Sequence, residues 1–392
     1  MSIIDKCYDY EDAKKVIALG HYPYFRVINS EQDTEVMVNN KRMLMMGSNS
    51  YLGLTNHPRV IEAAKKATDK YGTGCAGSRF LNGTLDIHLE LEEKLSELVG
   101  KEASLAFATG YQANLGAISA IVGRGEYVIT DKYDHASILD GCRLSAGTML
   151  RYNHNNMEHL EKVLKKIEGK NSLIVVDGIF SMEGDIANIP EIVGLAKKYG
   201  AAIMVDEAHS LGVLHKSGAG ATAYYNKTAD VDIIMGTFSK SLASVGGFIA
   251  GNNDLIHFLK HHARPLIFSA SLPPASAASV LEALKIMQEE PERIEKLWEN
   301  TRYMAKSFKE MGYDIGTSCT PVIPLHVGNM KNAFKMWKQL DDEGIFINPV
   351  VPPAVPPTNT LIRTSFMATH TKEQLDEALL KFEKIGKRVG VI

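Results

Sequence analysis

The chain has 392 residues, of which 45% are hydrophobic and 23% charged, and its formal net charge is −3. That is ordinary composition for a soluble globular protein, long enough for two domains or for one large core with a smaller lobe. The near-neutral balance gives no ground for a nucleic-acid partner, and no stretch is apolar for long enough to cross a bilayer.

Residues 1–45 read as an N-terminal arm. Its first ten residues carry charges early and lack the apolar centre of a secretory signal. Within the arm, residues 36–38 and 42–45 flank Asn39-Asn40 and predict a short hairpin. From residue 46 to 285 the pattern alternates between helices and short apolar strands. Helical periodicity covers 60–71 and 87–99, the latter with Leu91, Leu95 and Leu98 on one face. Buried strands are expected at 104–108, 127–130, 173–177, 202–206, 233–236 and 247–250. Helices at 110–122, 157–167 and 190–199 fall between several of them. This alternation predicts a mainly parallel α/β sheet, and in such sheets ligands bind at the carboxyl ends of the strands. Pro273 and Pro274 then open a long helix reaching 289, and Pro291 opens another. Residues 286–392 read as a smaller α+β lobe with a proline-rich loop at 348–357. Cys7, Cys75, Cys142 and Cys319 lie far apart, with neither CxxC spacing nor a His/Cys cluster. No metal site and no disulfide framework is indicated, and a reducing, cytoplasmic compartment fits.

The polar residues just past the strands carry the chemistry. Ala202-Ile203-Met204-Val205 delivers Asp206 to a strand end, with His209 one turn further on. Some thirty residues later, Ile233-Ile234-Met235-Gly236 delivers Thr237-Phe238-Ser239-Lys240. Taken singly, Asp206 reads as a helix cap and Lys240 as a surface lysine. The small, glycine-containing run from Ser239 to Gly247 is not what a surface helix needs, and it changes that reading. A carboxylate and an amine meeting across one crevice are the two groups pyridoxal phosphate (PLP) requires. The amine forms an imine with the aldehyde, and the carboxylate holds a proton on the pyridine nitrogen so that the ring accepts electrons. Hydroxyls of Thr237 and Ser239 could bind the phosphate. So could the helix start in Ala108-Thr109-Gly110-Tyr111-Gln112, where free N–H groups would face an anion. His135, after the strand at 127–130, is a structural histidine or a flat ring stacked on the pyridine.

Five stretches occur in an order that resembles the α-oxoamine synthases. They are Ser48-Asn49-Ser50-Tyr51-Leu52-Gly53-Leu54, Thr109-Gly110-Tyr111-Gln112-Ala113-Asn114, Asp134-His135-Ala136-Ser137, Val205-Asp206-Glu207-Ala208-His209-Ser210 and Thr237-Phe238-Ser239-Lys240. That family condenses an amino acid with an acyl-CoA on PLP. The resemblance runs from about residue 24 to 371. It implies a type I aminotransferase-like fold: a large PLP-binding domain with a mainly parallel seven-stranded sheet, and a smaller α+β C-terminal domain. By position, Lys240 would be the Schiff-base lysine, Asp206 the partner of the pyridine nitrogen, and His209 that of the phenolic oxygen. His135 would stack on the ring and act with these three in catalysis. Gly110, Tyr111, Thr237 and Ser239 would hold the phosphate, joined by Ser269 and Ala270 from a second subunit of a homodimer with shared active sites. Arg363 would bind the substrate carboxylate, with Asn49 and Ser78 also on the substrate side.

Further stretches narrow the branch. Cys75-Ala76-Gly77-Ser78-Arg79-Phe80-Leu81-Asn82-Gly83-Thr84 and Phe180-Ser181-Met182-Glu183-Gly184-Asp185 resemble the members that use L-serine and a long-chain acyl-CoA. The proline run 349–357 before Arg363 points the same way with less weight. In that branch Lys240 would remove the α-proton of serine. His135, Ser78 or a PLP phosphate oxygen would each be able to meet the serine hydroxyl. Rival readings are a family member using glycine with acetyl-CoA or alanine with pimeloyl-CoA, an aminotransferase, and a non-catalytic PLP-sensing regulator. The last needs a DNA-binding helix pair, for which the arm is too short. A lipidic product without a spanning helix would make any membrane contact peripheral, on the inner face.

Overall fold

The structure is a computed structural model that describes residues 2–352 and 354–392. Its centre is a seven-stranded sheet built from β3 (Ala103–Phe107), β4 (Tyr127–Asp131), β5 (Thr148–Tyr152), β6 (Ser172–Asp177), β7 (Ala202–Asp206), β8 (Ile233–Thr237) and β9 (Gly247–Gly251). Two N-terminal strands, β1 (Glu35–Val38) and β2 (Lys41–Met45), precede it as the expected hairpin. The order across the sheet is β3-β9-β8-β7-β6-β4-β5, and only β9 runs against the others. Strands such as Leu-Ile-Val-Val in β6 and Ile-Met-Val in β7 are apolar on both faces because helices cover both faces. Leu91, Leu160, Ile192 and Val280 close one side of the sheet, and Ala113, Ile118, Ile138 and Leu259 close the other.

The parallel strands end together. Asp177 at the end of β6 lies in register with Asp206 at the end of β7. Thr237 ends β8, and β3 leads into the helix Gly110–Ile121. That helix start lies against β9 at very short range: a Cβ added to Gly247 would stand 2.5 Å from the Gly110 Cα. The glycines flanking Lys240 therefore serve a close backbone approach rather than a surface helix.

The remaining strands are β10 (Val322–His326), β11 (Ile345–Phe346), β12 (Asn348–Val350) and β13 (Leu361–Ser365). They form an antiparallel sheet β10-β13-β12, while β11 adds in parallel to the hairpin as β1-β2-β11. Helices Glu292–Met311, Met330–Asp342 and Lys372–Val389 pack here, and Leu44 and Met46 share the core with Phe308, Ile323, Met336 and Phe382. The N-terminal hairpin is thus joined to the C-terminal strands, which brings Asn49 to Arg363.

Three features depart from the sequence reading. Strand β5 was not expected: it is an edge strand, mostly solvent-facing and interrupted by Arg151, so it has no apolar run. Residues 348–350 are a strand, not the start of a proline loop. Pro349 is tolerated because β12 is also an edge and pairs only with β13. Pro353 of that loop lies outside the described residues. The arm also carries two short helices, Asp5–Tyr8 and Asp12–Ala18, with no buried residue on which a periodic apolar face could show.

Candidate active site

Four strand ends and one helix start enclose a cavity of about 360 Å³, lined by Gly110, Tyr111, His135, Asp206, His209, Thr237, Ser239 and Lys240. This volume lies in the usual range for small-molecule sites. All eight residues expected from sequence to meet a cofactor within one subunit are therefore brought together. Arg363 and Asn49 adjoin them through a second set of contacts. Ser78, Ser269 and Ala270 are not part of this lining; Ser269 accepts a hydrogen bond from Gln112 Nε2 at 3.1 Å, and the Ser78 hydroxyl is buried without a partner.

The carboxylate of Asp206 is fixed from two sides. The Ala208 N–H donates to Oδ1 at 2.8 Å, and Asn114 Nδ2 donates to Oδ2 at 2.7 Å. The same Asn114 amide donates to Ser137 Oγ at 2.8 Å, and Ser137 Oγ lies 2.7 Å from His135 Nδ1. One buried asparagine thus couples the carboxylate to the imidazole. The His135 backbone N–H donates to Asp177 Oδ2 at 3.0 Å, tying the end of β6 to the same network.

Burial governs the protonation of this crevice. It lowers the pKa of the Lys240 amine to about 8, against the opposing pull of Asp206 and Asp177. It raises the carboxyls of Asp134 and Asp177 well above the usual range, Asp131 adding to the first effect and Asp206 to the second. It drives His209 well below its ordinary value, with Lys240 and Arg363 reinforcing the shift. His209 is therefore neutral. Its Nδ1 sits 2.7 Å from the Tyr51 hydroxyl, and with Tyr51 as donor the ring proton resides on Nε2. His135 is shifted downward too, by burial, with Asp206 opposing the shift and Lys240 adding to it.

The phosphate end has its own logic. Thr109 caps the helix by accepting from the Gln112 N–H at 3.1 Å. The N–H groups of Gly110 and Tyr111 then have no acceptor within the helix. Thr237 Oγ1 stands 3.0 Å from Ser239 Oγ, and a Cβ on Gly110 would meet that threonine oxygen at 2.7 Å. Helix N–H groups and two hydroxyls thus converge in a space that a side chain at position 110 would fill, the donor set a phosphate monoester requires. On the substrate side Arg363 is buried. It donates through Nε to the Ser181 carbonyl at 2.8 Å and through Nη2 to Asn49 Oδ1 at 3.0 Å.

Sequence reasoning assigned no role to Asn114, Tyr51 or Asp177. Asn114 was findable as an asparagine one turn past Gly110 on an otherwise apolar helix face, and Asp177 as an acid ending a buried strand. Tyr51 gives no sequence signal of its own, since an aromatic near a turn reads as core.

Residues 41–382 match the family described as aminotransferase class I and II. The chain is 57% identical to a serine palmitoyltransferase of Sphingobacterium spiritivorum, over 95% of this chain and 94% of the relative. It is 42% identical to an 8-amino-7-oxononanoate synthase of Thermoanaerobacter pseudethanolicus, over the full length of both. Among solved structures, a serine palmitoyltransferase variant from S. paucimobilis with bound PLP–myriocin aldimine superimposes with a TM-score of 0.97 at 37% identity, covering 100% of both chains. The chain belongs to the aminotransferase class I and II family, in its α-oxoamine synthase branch.

Proposed function

We propose that the chain is a PLP-dependent acyltransferase that condenses L-serine with palmitoyl-CoA to 3-ketodihydrosphingosine, the first step of sphingolipid biosynthesis. The observation that carries this reading is the placement of Lys240, Asp206 and a phosphate-type donor set in one cavity with Arg363 alongside. The relatives named serine palmitoyltransferase favour serine and a long acyl chain over the alanine and pimeloyl-CoA pair.

Bound in this cavity, PLP supplies an aldehyde for imine formation and an electron sink for the pair released at the substrate α-carbon. Lys240 anchors it and later takes the α-proton; a pKa of about 8 leaves a useful neutral fraction near neutral pH. Asp206, held by Asn114 and the Ala208 N–H, keeps a proton on the pyridine nitrogen. His209 would donate from Nε2 to the phenolic oxygen, and His135, on the cavity wall, would lie against the ring face. Arg363 receives the serine carboxylate in its planar fork, already oriented by Asn49 and the Ser181 carbonyl; a lysine could not reproduce that bidentate geometry. The net reaction forms one C–C bond at the serine α-carbon, breaks the thioester C–S bond and the bond from the α-carbon to the carboxylate, takes up one proton, and releases CoA and carbon dioxide.

We infer a homodimer as well. Ser269 and Ala270 lie outside the cavity of their own chain, and Phe268 beside them is 73% exposed. A two-fold partner would bring this segment to the other phosphate site. Sedimentation of the active enzyme should give a dimer, and a fully active monomer would refute it.

Three further outcomes are expected. L-serine should perturb the cofactor absorbance and support CoA release from palmitoyl-CoA with a kcat/KM far above that for glycine with acetyl-CoA or alanine with pimeloyl-CoA; the reverse order would reject the serine reading. Asp206→Asn should retain PLP yet lose turnover by about a hundredfold, or ~2.7 kcal/mol of barrier. Near-normal turnover in a folded variant would remove Asp206 from the mechanism. In cofactor-free protein, NMR of reductively 13C-methylated lysines should show one amine, assigned to Lys240 by its loss in Lys240→Ala, titrating near pH 8. Its charged form is disfavoured by folding, so it is neutral above that pH and charged below. A midpoint near that of exposed lysine, about 10.4, would contradict the burial argument.

A further inference from the structure

The loop that follows β6 is a compact hairpin. Ile179 and Ile186 form an antiparallel bridge, Phe180 N–H donates to the Asp185 carbonyl at 3.0 Å, and Gly184 N–H donates to the Phe180 carbonyl at 2.9 Å. At its tip the Ser181 carbonyl accepts from Arg363. The loop also meets the C-terminal strands, since the Gly184 carbonyl accepts from Thr320 Oγ1 at 2.8 Å and Met182 packs against Val350, Val355 and Leu361.

On the other side stands His154, in the turn after β5. Its Nδ1 lies 3.0 Å from Asp131 Oδ1, and its Nε2 lies 3.0 Å from Asp185 Oδ2. The ring is packed between Tyr133, its centroid 4.6 Å away, and Phe180, whose centroid lies 4.4 Å away with the two planes perpendicular. Both ring nitrogens face carboxylate oxygens, an arrangement that asks for a proton on each. Burial opposes that charge, but the two hydrogen bonds overcome it and raise the pKa to about 10. Asp131 is itself immobilised: it ends β4, its side chain is fully buried, and it accepts from the Tyr133 and Asn155 N–H groups at 2.8 and 2.7 Å. Asp185 has fewer ties. Among the described residues its Oδ1 is buried without a partner, and besides His154 its Oδ2 receives only a long contact of 3.4 Å from Asn155 Nδ2.

We propose that His154 is a positioning residue for amino-acid binding, an imidazolium clamp that fixes the 179–186 loop to the end of β4 and thereby sets the Ser181 carbonyl against which Arg363 is oriented. This rests on the reading of Arg363 as the carboxylate-binding group. Neither His154 nor Asp185 lines the cavity, so loss of the clamp weakens binding of ground state and transition state alike, raising KM without changing kcat.

The test uses three variants of the PLP-loaded dimer, His154→Gln, Asp185→Asn and the double variant, with Arg363→Gln as reference. The L-serine dissociation constant is read from the cofactor absorbance, and kcat is measured at saturating serine. Each clamp variant should weaken serine by about tenfold, equivalent to ~1.4 kcal/mol, with kcat within about threefold of wild type. The double variant should be no worse than the weaker single one, because both remove the same link. Hydrogen exchange in cofactor-free protein should accelerate at the amides of Phe180 and Gly184, a readout independent of activity. Should His154→Gln fail to fold, Asp185→Asn, which keeps the imidazole, decides alone. Unchanged serine affinity in the clamp variants, with Arg363→Gln impaired, overturns the clamp and leaves the Arg363 reading intact. Unchanged affinity in Arg363→Gln overturns that reading and the clamp with it.

Discussion

The site depends on an amine and carboxyl groups being forced to share one partly enclosed crevice, in which Asp177 and Asp206 are buried and Lys240 is half-buried. Burying one such charge alone would be prohibitive, and a buried set survives only if its members pair, hydrogen-bond or give up their charge. The last two responses occur here. Asp206 gains two donors, from Asn114 and Ala208. Asp134 and Asp177 are driven toward the protonated form. Lys240 and His209 are driven toward the neutral form. The result is an amine with a useful neutral fraction near neutral pH, beside a carboxyl group whose orientation is fixed before any ligand arrives.

The sheet makes this possible, because adjacent parallel strands end at one level. The register of Asp177 with Asp206 puts two acids side by side, and β8 adds Thr237 and the turn to Lys240. The substrate side is assembled differently. Arg363 comes from the C-terminal sheet, Asn49 from the segment after the N-terminal hairpin, and the Ser181 carbonyl from the loop after β6. Three distant parts of the chain thus converge on one guanidinium. Contacts of Ser365 with Met46 and Ser48 hold the first two together.

The large sheet was legible because its central strands are buried on both faces, so each shows an unbroken apolar run between turn residues. Most boundaries fall within a residue or two of the expected ones, and the hairpin and the long helix after Pro273 also stand where expected. Two edge strands were not legible: β5 is half-solvated and interrupted by Arg151, and β12 is three residues long with Pro349 at its centre, whereas the edge strand β3 keeps a buried run and stands where expected. At the site, Lys240, Asp206, Thr237 and Ser239 could be argued from strand-end chemistry. His209 and Arg363 needed the family resemblance, because their significance lies in who stands opposite. The couplings were invisible in sequence. Nothing in residue order says that Asn114 joins Asp206 to Ser137, or that His154 lies between Asp131 and Asp185, since these are distances across the sheet rather than along the chain.

The most direct test of the account is to load the protein with PLP, reduce it with borohydride, digest it and map the pyridoxyl label by mass spectrometry. Stoichiometric label on Lys240 and none elsewhere is the expected result. Label on another lysine, or a protein that takes up no PLP while folded, would contradict it.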